Sequence, residues 1–507
     1  MADASVASEL GIIEQLPLLT VVVPMLAAPL CIVFGNRHIA WVLAFASSLF
    51  AFLGSVHLMA QVMDGDVISY HLGGWAPPLG IEYRIDEANA FVMMLISGIS
   101  TVVLPYAIKS IAHEVKKVSH TLFYCCYLLC FTGLMGMVAT GDAFNVFVFL
   151  EISSLSTYVL IAMGAEHDKR ALTAAYDYLI MGTIGATFFV IGIGLLYMAT
   201  GTLNMADLSE RLTTMGDNRT VQAAFAFIVI GMGLKAAIYP LHLWLPNAYT
   251  YAPSAVTIFL AATATKAAIY VLIRFMFSVF QPQFAFEINT MLWILMPLAI
   301  LAMFAASLIA VFQSDLKRLL AYSSIAQIGY MILGVSLATQ TSLTAAIVHL
   351  FNHGISKAAL FMALGAYVMR SGDSFLNSLS GLGKRMPWTS AVFFIGGLSL
   401  IGVPGTAGFI SKWVLVNAAL ELDFWWLALL IAGSSLLAVV YVWKSIEVLY
   451  LQDPLEGTAA KEAPLSMLIP MWVLAFACIY AGFDTDGTTR MAQIAAEGLL
   501  PTSGGNQ

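Results

Sequence analysis

The chain has 507 residues, of which 60% are hydrophobic and only 10% charged, with a mean hydropathy of +0.88 and a formal net charge of -7. Soluble domains carry about 25% charged residues, so this composition excludes a water-solvated globule and makes lipid the main solvent. Basic residues are few and form no stripe, which excludes a nucleic-acid partner.

The first 15 residues are polar and acidic with no basic n-region, which argues against a cleaved signal peptide. Beyond them, apolar runs of about 20 residues recur, the length needed to cross a hydrocarbon core of about 30 Å. They predict spanning helices near 16–35, 40–62, 89–108, 119–138, 143–163, 173–199, 221–244, 252–277, 291–312, 321–338, 341–369, 388–419, 424–450 and 464–483, fourteen in all. The fold class is an all-α polytopic membrane protein.

Loop charges follow the helix count. One alternate set of connections carries thirteen basic residues (Arg37, Lys109, Lys116, Lys117, Lys169, Arg170, Lys317, Arg318, Arg370, Lys384, Arg385, Lys444 and Lys461). The other set carries four: Arg84, Arg211, Arg219 and Arg490. The positive-inside rule places the first set in the cytoplasm. Both termini then lie on the outer side of a cell inner membrane. Asp315 and Lys317 read as solvated loop residues. Five basic residues fall within helices: Lys235, Lys266, Arg274, Lys357 and Lys412. Arg274 is near a helix end and is expected to snorkel to the interface.

Two stretches read as interrupted helices. Lys235 to Pro253 (KAAIYPLHLWLPNAYTYAP) contains Pro240 and Pro246, each removing a backbone donor at membrane depth. Gly402 to Trp413 (GVPGTAGFISKW) is the second. Broken helices at membrane depth are tolerated where they line a polar cavity, and they mark ion sites in transporters. The breaks fall in the fourth helix of two successive five-helix halves, and an odd helix number inverts the second half relative to the first. The predicted organisation is a three-helix segment (1–118), a first repeat (119–277), an inverted second repeat (291–450), and a final helix with its tail (451–507). Gly192 and Gly194 lie within a spanning helix, where small residues serve close packing.

Each ionisable group at the bilayer centre costs about 2.5–3.5 kcal/mol or more and needs a reason. Glu151 is mid-helix in GDAFNVFVFLEISSLSTYVL. It reads either as a carboxylate paired with a buried ammonium, or as a group merely bonded to Ser153 or Ser154. Lys235 is the candidate partner, since an ammonium balanced between burial and a carboxylate can load and release a proton. The alternative is a static salt bridge. Lys266, in IFLAATATKAAIYVLIRF, has no acid on its own helix. Its bland alternative is an ammonium satisfied by carbonyls freed between Pro240 and Pro253. His349, His353 and Lys357 recur every four residues in VHLFNHGISKAALF, which puts them on one helix face. Histidines titrate near neutrality, so such a stripe can pass protons; packed, hydrogen-bonded histidines are the alternative. Lys412 follows the second break. His242 reads equally as a cap on freed carbonyls or a proton carrier, and Asp177 as interfacial or functional.

Cys31, Cys125, Cys126, Cys130 and Cys478 lie in apolar runs without C-x-x-C spacing and read as buried small residues. The histidines lack nearby carboxylates or cysteines, so no metal is expected. No nucleophilic triad, P-loop or dinucleotide fingerprint occurs, so neither a catalytic centre nor a cofactor is expected. The chain offers a conduction path that something else must drive.

The ordered run PLHLWLPNAYTYAPS, LAATATK, SSIAQIGY, HLFNHGISKAALF and GVPGTAGFISKW resembles the antiporter-like membrane subunits of respiratory complex I, membrane-bound hydrogenases and Mrp-type cation/proton antiporters. The resemblance covers roughly 90–480. It implies fourteen helices, two inverted five-helix repeats, and broken helices at both places. It also implies a switchable Glu151–Lys235 pair, a relay through Lys266, His349, His353 and Lys357, and exchange with one side at Lys412. A lysine at 412 and the NAYTYAPS turn are similar to the Mrp D-type protein. Relatives often carry a basic residue where this chain has Asp177.

The leading expectation is an ion-translocating, proton-conducting subunit of an Mrp-type antiporter. Its partners would be other membrane subunits, the lipid bilayer, H+ and Na+ or K+. The alternatives are a proton-pumping subunit of a redox complex, a membrane partner of a zinc protein in inorganic-carbon uptake, and a structural subunit that has lost transport. The complete set of buried charges argues against the last. No oxygen cage for Na+ is visible, so this chain is expected to carry H+.

Overall fold

A computed structural model describes residues 11, 13–216, 218–282, 285–454 and 461–500. The residues whose polarity argues against a leader, and both termini, lie largely or wholly outside this set.

Helices account for most of the described chain. In order they are α1 (Leu16–Val33), α2 (Arg37–Val62), α3 (Glu87–Glu114), α4 (His120–Ala139), α5 (Ala143–Ala162), α6 (Arg170–Thr200) and α7 (Met205–Met215). Next come α8 (Arg219–Lys235), α9 (Trp244–Tyr251), α10 (Ser254–Ala262), α11 (Ala264–Arg274), α12 (Ala285–Thr290), α13 (Met296–Val311), α14 (Leu316–Ser336) and α15 (Gln340–Ser371). Last are α16 (Leu382–Arg385), α17 (Pro387–Ile401), α18 (Ala407–Glu421), α19 (Trp425–Ile446), α20 (Leu465–Phe483) and α21 (Thr485–Leu499). Among the described residues 12 helical segments are long and apolar enough to cross a membrane. The two remaining runs of the fourteen predicted are the interrupted ones, α8–α9 and α17–α18, whose pieces are each too short to span. A count of fourteen therefore counts each interrupted pair as one crossing.

The two halves are built alike. The third helix of each packs against both fragments of the broken fourth: α6 on α8 and α9, α15 on α17 and α18. The second helix of each starts at an Asp that caps it. Asp142 accepts from Asn145 N at 2.7 Å, and Asp315 from Arg318 N at 3.0 Å. Each Asp also forms a lone antiparallel bridge to the loop after the third helix, with Asn204 and Phe375 respectively.

α15 occupies the middle of the molecule. It packs on α3, α10, α14, α17, α18, α20 and α21, and is buried nearly all round. A helix hydrophobic on every face would serve such a place. The His349, His353 and Lys357 face therefore looks onto protein, not lipid.

Several expectations needed correction. Only Pro240 lies in the break, between Ala236 and Leu243. Pro246 is the third residue of α9, where no intrahelical donor is needed, so it interrupts nothing. Ala237 instead carries the turn, at φ 56°. Arg274 does not snorkel: its guanidinium forms a 2.7 Å ion pair with Asp86, both side chains 14% exposed. Lys317 is buried rather than solvated, and its Nζ donates to Ala252 O at 3.2 Å. Gly192 does serve packing, since a Cβ there would lie 2.6 Å from Ile228, but Gly194 faces open space. All five cysteines are buried and free.

The connection from α2 to α3 holds a two-stranded hairpin, β1 (Ile68–His71) and β2 (Glu82–Ile85), with Ile68 opposite Ile85. Glu82 accepts from Asn204 Nδ2 at 2.6 Å and ties this hairpin to the loop before α7.

Candidate functional site

The first half presents Lys235 as the last residue of α8, at the C-terminal end of a helix fragment inside the membrane. The backbone carbonyls there carry partial negative charge and favour an ammonium. Lys235 Nζ donates to Ser154 Oγ on α5 at 2.5 Å. Glu151, one turn earlier on α5, makes no ion pair with it, and Glu151 Oε1 is buried without a hydrogen-bond partner. The side chains of Ser153 and Ser154 both donate to Leu150 O, so neither serves Glu151. Beside Lys235 lies a cavity of about 30 Å3 lined by Ser154, Thr157, Tyr178 and Trp244. That is the share of one water molecule. Asp177 is half-buried on α6, next in sequence to Tyr178.

Lys266 is fully buried. Its Nζ donates to Ala261 O on α10 and lies 3.4 Å from Thr265 Oγ1. Ala261 belongs to its own span, not to the Pro240–Pro253 region. The carbonyl is within reach because the helix is interrupted at Thr263, whose φ of -125° and ψ of -51° separate α10 from α11. α15 backs directly onto this break: a Cβ on Gly354 would sit 3.0 Å from Ala262 O. This contact brings the two halves together.

On α15 the rings of His349 and His353 are parallel, with centroids 6.0 Å apart and 3° between planes. His349 Nδ1 is 2.7 Å from Ser411 Oγ, and its Nε2 has no partner. His353 has no partner at either nitrogen. A neutral imidazole can accept at one nitrogen while donating from the other, and these free nitrogens leave both roles open. Asn352 Nδ2 donates to Ala407 O at 2.7 Å and fastens α15 to the second break. Lys357 Nζ donates to Leu320 O at 2.8 Å and Ser323 Oγ at 2.5 Å on α14.

Lys412 completes the series. Gly402 ends α17 at φ 89°, and the chain turns back so that Lys412 on α18 reaches the last carbonyls of α17. Its Nζ donates to Leu400 O (3.1 Å), Ile401 O (2.9 Å) and Ser435 Oγ (3.1 Å). It also lies 4.6 Å from the Tyr330 ring, which is 5.6 Å from His349. Lys412, Tyr330, His349 and His353 thus form one contiguous chain of polar groups. His242 stands apart. Its ring stacks on Tyr239 at 5.0 Å, and its Nδ1 is buried without a partner.

Residues 140–438 match the family model described as NADH:quinone oxidoreductase/Mrp antiporter, TM. The chain belongs to this family. Glu151, Lys235, Lys266, His349, His353, Lys357 and Lys412 all lie inside the matched span. The chain is 37% identical to the N-type membrane protein of the NADH-quinone oxidoreductase of Desulforudis audaxviator, over 96% of its length and 99% of that protein. It is 32% identical to the D-type protein of the Na(+)/H(+) antiporter of Alkalihalophilus pseudofirmus, over 80% and 81%. Its structure matches a chain of the Mrp complex from a Dietzia species with a TM-score of 0.89 at 26% identity, over 97% and 98%.

The sequence does not show the partners of the charged groups. Ser154, Ser323, Tyr330, Ser411 and Ser435 take those places. Two of them, Ser323 and Tyr330, sit in the SSIAQIGY run, whose polar positions were the available signal. Gly182 on α6 is another missed position: a Cβ there would lie 3.2 Å from Lys235 Nζ, with no other atom within 4 Å. Gly182→Ala should leave the thermal unfolding temperature in detergent unchanged or slightly raised, since alanine favours a helix by about 1 kcal/mol over glycine. It should also displace the ammonium and slow ion movement several-fold. A misplacement of roughly 1 Å at a reacting group can cost up to about 10²-fold. Unaltered flux in proteoliposomes would show that Lys235 needs no free space beside α6.

Proposed function

We propose that this chain is the proton-conducting, ion-translocating subunit of a multisubunit Mrp-type monovalent cation/proton antiporter. It would sit among other membrane subunits in the cell inner membrane, with both termini outside. The observation that carries this reading is the chain of buried groups from Lys412 through Tyr330 to His349 and His353, with three ring nitrogens free to exchange protons. Lysines held by neutral hydroxyls and carbonyls have no fixed countercharge, so a proton can move on when a neighbour changes charge.

In this mechanism Glu151 and Lys235 work as a switch. With Lys235 on Ser154, the carboxylate is free; when the ammonium swings to Glu151, Ser154 and the adjoining cavity are released. Either position changes the field felt by Lys266. Lys266 then hands its proton across the α10–α15 contact to His353, and Lys412 exchanges with one side. The lysine at 412 and the match to an Mrp complex chain favour antiport. One observation favours a second reading, a proton-pumping subunit of a redox complex: the relative that is 37% identical across 96% of the chain belongs to an NADH-quinone oxidoreductase.

The test is made in vesicles lacking native antiporters and containing the complete complex. A pH-sensitive dye follows the acidified lumen as NaCl and then KCl are added, with Lys235→Ala beside the parent. Alkalinisation on adding cation, lost in the variant, is the expected result. Proton movement seen only with an electron donor, and none with cations, would replace antiport by the redox reading.

A further inference from the structure

The relay does not use the polar cluster around Arg274. A cavity of about 870 Å3 opens beside the α2–α3 hairpin connection, the start of α7 and the end of α21, large enough for on the order of tens of waters. Its charged and polar lining includes Arg84, Asp86, Glu87, Asn89, Tyr270 and Arg274. The loops around it carry the sparse set of basic residues, so by the positive-inside rule it faces outward.

At its floor Arg274 makes three bonds. Nη2 donates to Asp86 Oδ1 at 2.7 Å, Nε to Tyr270 Oη at 2.9 Å and Nη1 to Ser278 Oγ at 3.3 Å. Asp86 is itself fixed, because it caps α3 by accepting from Ala88 N and Asn89 N, each at 3.1 Å. Burial disfavours its charge, yet the Arg274 guanidinium holds its carboxyl below the ordinary range. Lys266, Tyr270 and Arg274 recur every four residues along α11, on one face. The face runs from the lysine at the centre of the membrane to the cavity floor.

We propose that the Asp86–Arg274 pair is the gate between an outer aqueous vestibule and Lys266. Arginine keeps its charge in proteins and cannot carry the proton itself. A fixed guanidinium in a pore instead repels protons and cations. Closed, Arg274 covers Tyr270 and blocks hydronium from the cavity. Open, with the guanidinium drawn aside into the vestibule, Tyr270 Oη and water complete a path to the lysine. Lys266 then exchanges protons with the outer side, and the relay gains a controlled outlet in its first half. This rests on the proton-conducting reading given above.

The experiment measures passive collapse of an imposed pH gradient in vesicles carrying the intact complex, without Na+, K+ or electron donor. Arg274→Gln keeps a hydrogen-bonding side chain but removes the charge, and should speed the collapse at least ten-fold. Asp86→Asn, which retains a good helix cap, should leak less but still measurably. Adding Lys266→Met to either variant should restore the parent rate. In a background without native cysteines, Ser278→Cys should react with a membrane-impermeant thiol reagent from outside only. Tight vesicles with both single variants, a leak indifferent to Lys266→Met, or labelling of Ser278→Cys from the inside alone would each overturn the gate. Failure of the relay itself reads differently: Lys266→Met would then leave driven transport intact.

Discussion

Lys266→Met should abolish transport, leaving less than a tenth of the parent rate, while the protein still folds. The side chain is fully buried and no carboxylate lies within ion-pair distance among the described residues. Burying an amine with so few partners is costly, and a group kept at that cost points to a use. Methionine keeps the length and most of the volume, and volume-conserving swaps in a core usually cost under about 1.5 kcal/mol. It removes only the proton-holding nitrogen. A merely structural lysine predicts that transport is kept. Losing its bonds to Ala261 O and Thr265 Oγ1 would strand a buried carbonyl at about 1–3 kcal/mol and lower the unfolding temperature. Dye-monitored antiport and thermal unfolding of the same purified complex separate the two. Full transport with a lowered midpoint would remove Lys266 from the path.

The amino-acid sequence makes some of this legible and hides the rest for identifiable reasons. Continuous spans are visible because a bilayer demands an apolar run of fixed length, and all twelve such helices coincide with predicted runs. The two breaks are visible because proline and glycine mark them: Pro240 in one, Gly402, Pro404 and Gly405 in the other. The break at Thr263 carries neither residue, so LAATATK reads as an unbroken helix; tertiary packing against Gly354 and the Lys266–Ala261 bond accompany it instead. The hairpin of four-residue strands is too short for an alternating pattern to stand out within its loop. Arg274 reads as a snorkelling residue because its place near a helix end permits that, and only the fold brings Asp86, 188 residues earlier, to the same point. Likewise, the buried charges announce themselves by their cost in lipid, but serines with ordinary helix-facing roles do not announce which of them will hold an ammonium. Ser153 and Ser154 bond alike to Leu150 O, and only Ser154 receives Lys235.

Gly408→Ala should be the most damaging single-methyl change at the second break. A Cβ at this position would lie 1.8 Å from Ser399 O, and relief requires the ends of α17 and α18 to separate until that gap exceeds 3.0 Å. The contact is backbone, so no side chain can rotate away. Much of the second half of the relay depends on it. Gly408 N donates to Ser399 Oγ at 3.1 Å, Ser399 Oγ is 2.7 Å from Ser356 Oγ on α15, and Asn352 holds Ala407 O. Ser411, three residues on, holds His349, and Lys412 reaches back to Leu400 and Ile401. Overpacking in a tight core costs about 1–3 kcal/mol, occasionally more, and here the strain falls on the bonds that aim His349 and Lys412. The expected result is a lowered unfolding midpoint together with a loss of at least ten-fold in transport by whatever complex is retained. Gly194→Ala, where a Cβ meets nothing within 4 Å, supplies the matched control and should change neither. A Gly408→Ala protein that matches the parent in both measurements would mean that the close approach of α17 and α18 is not what sets the position of Lys412.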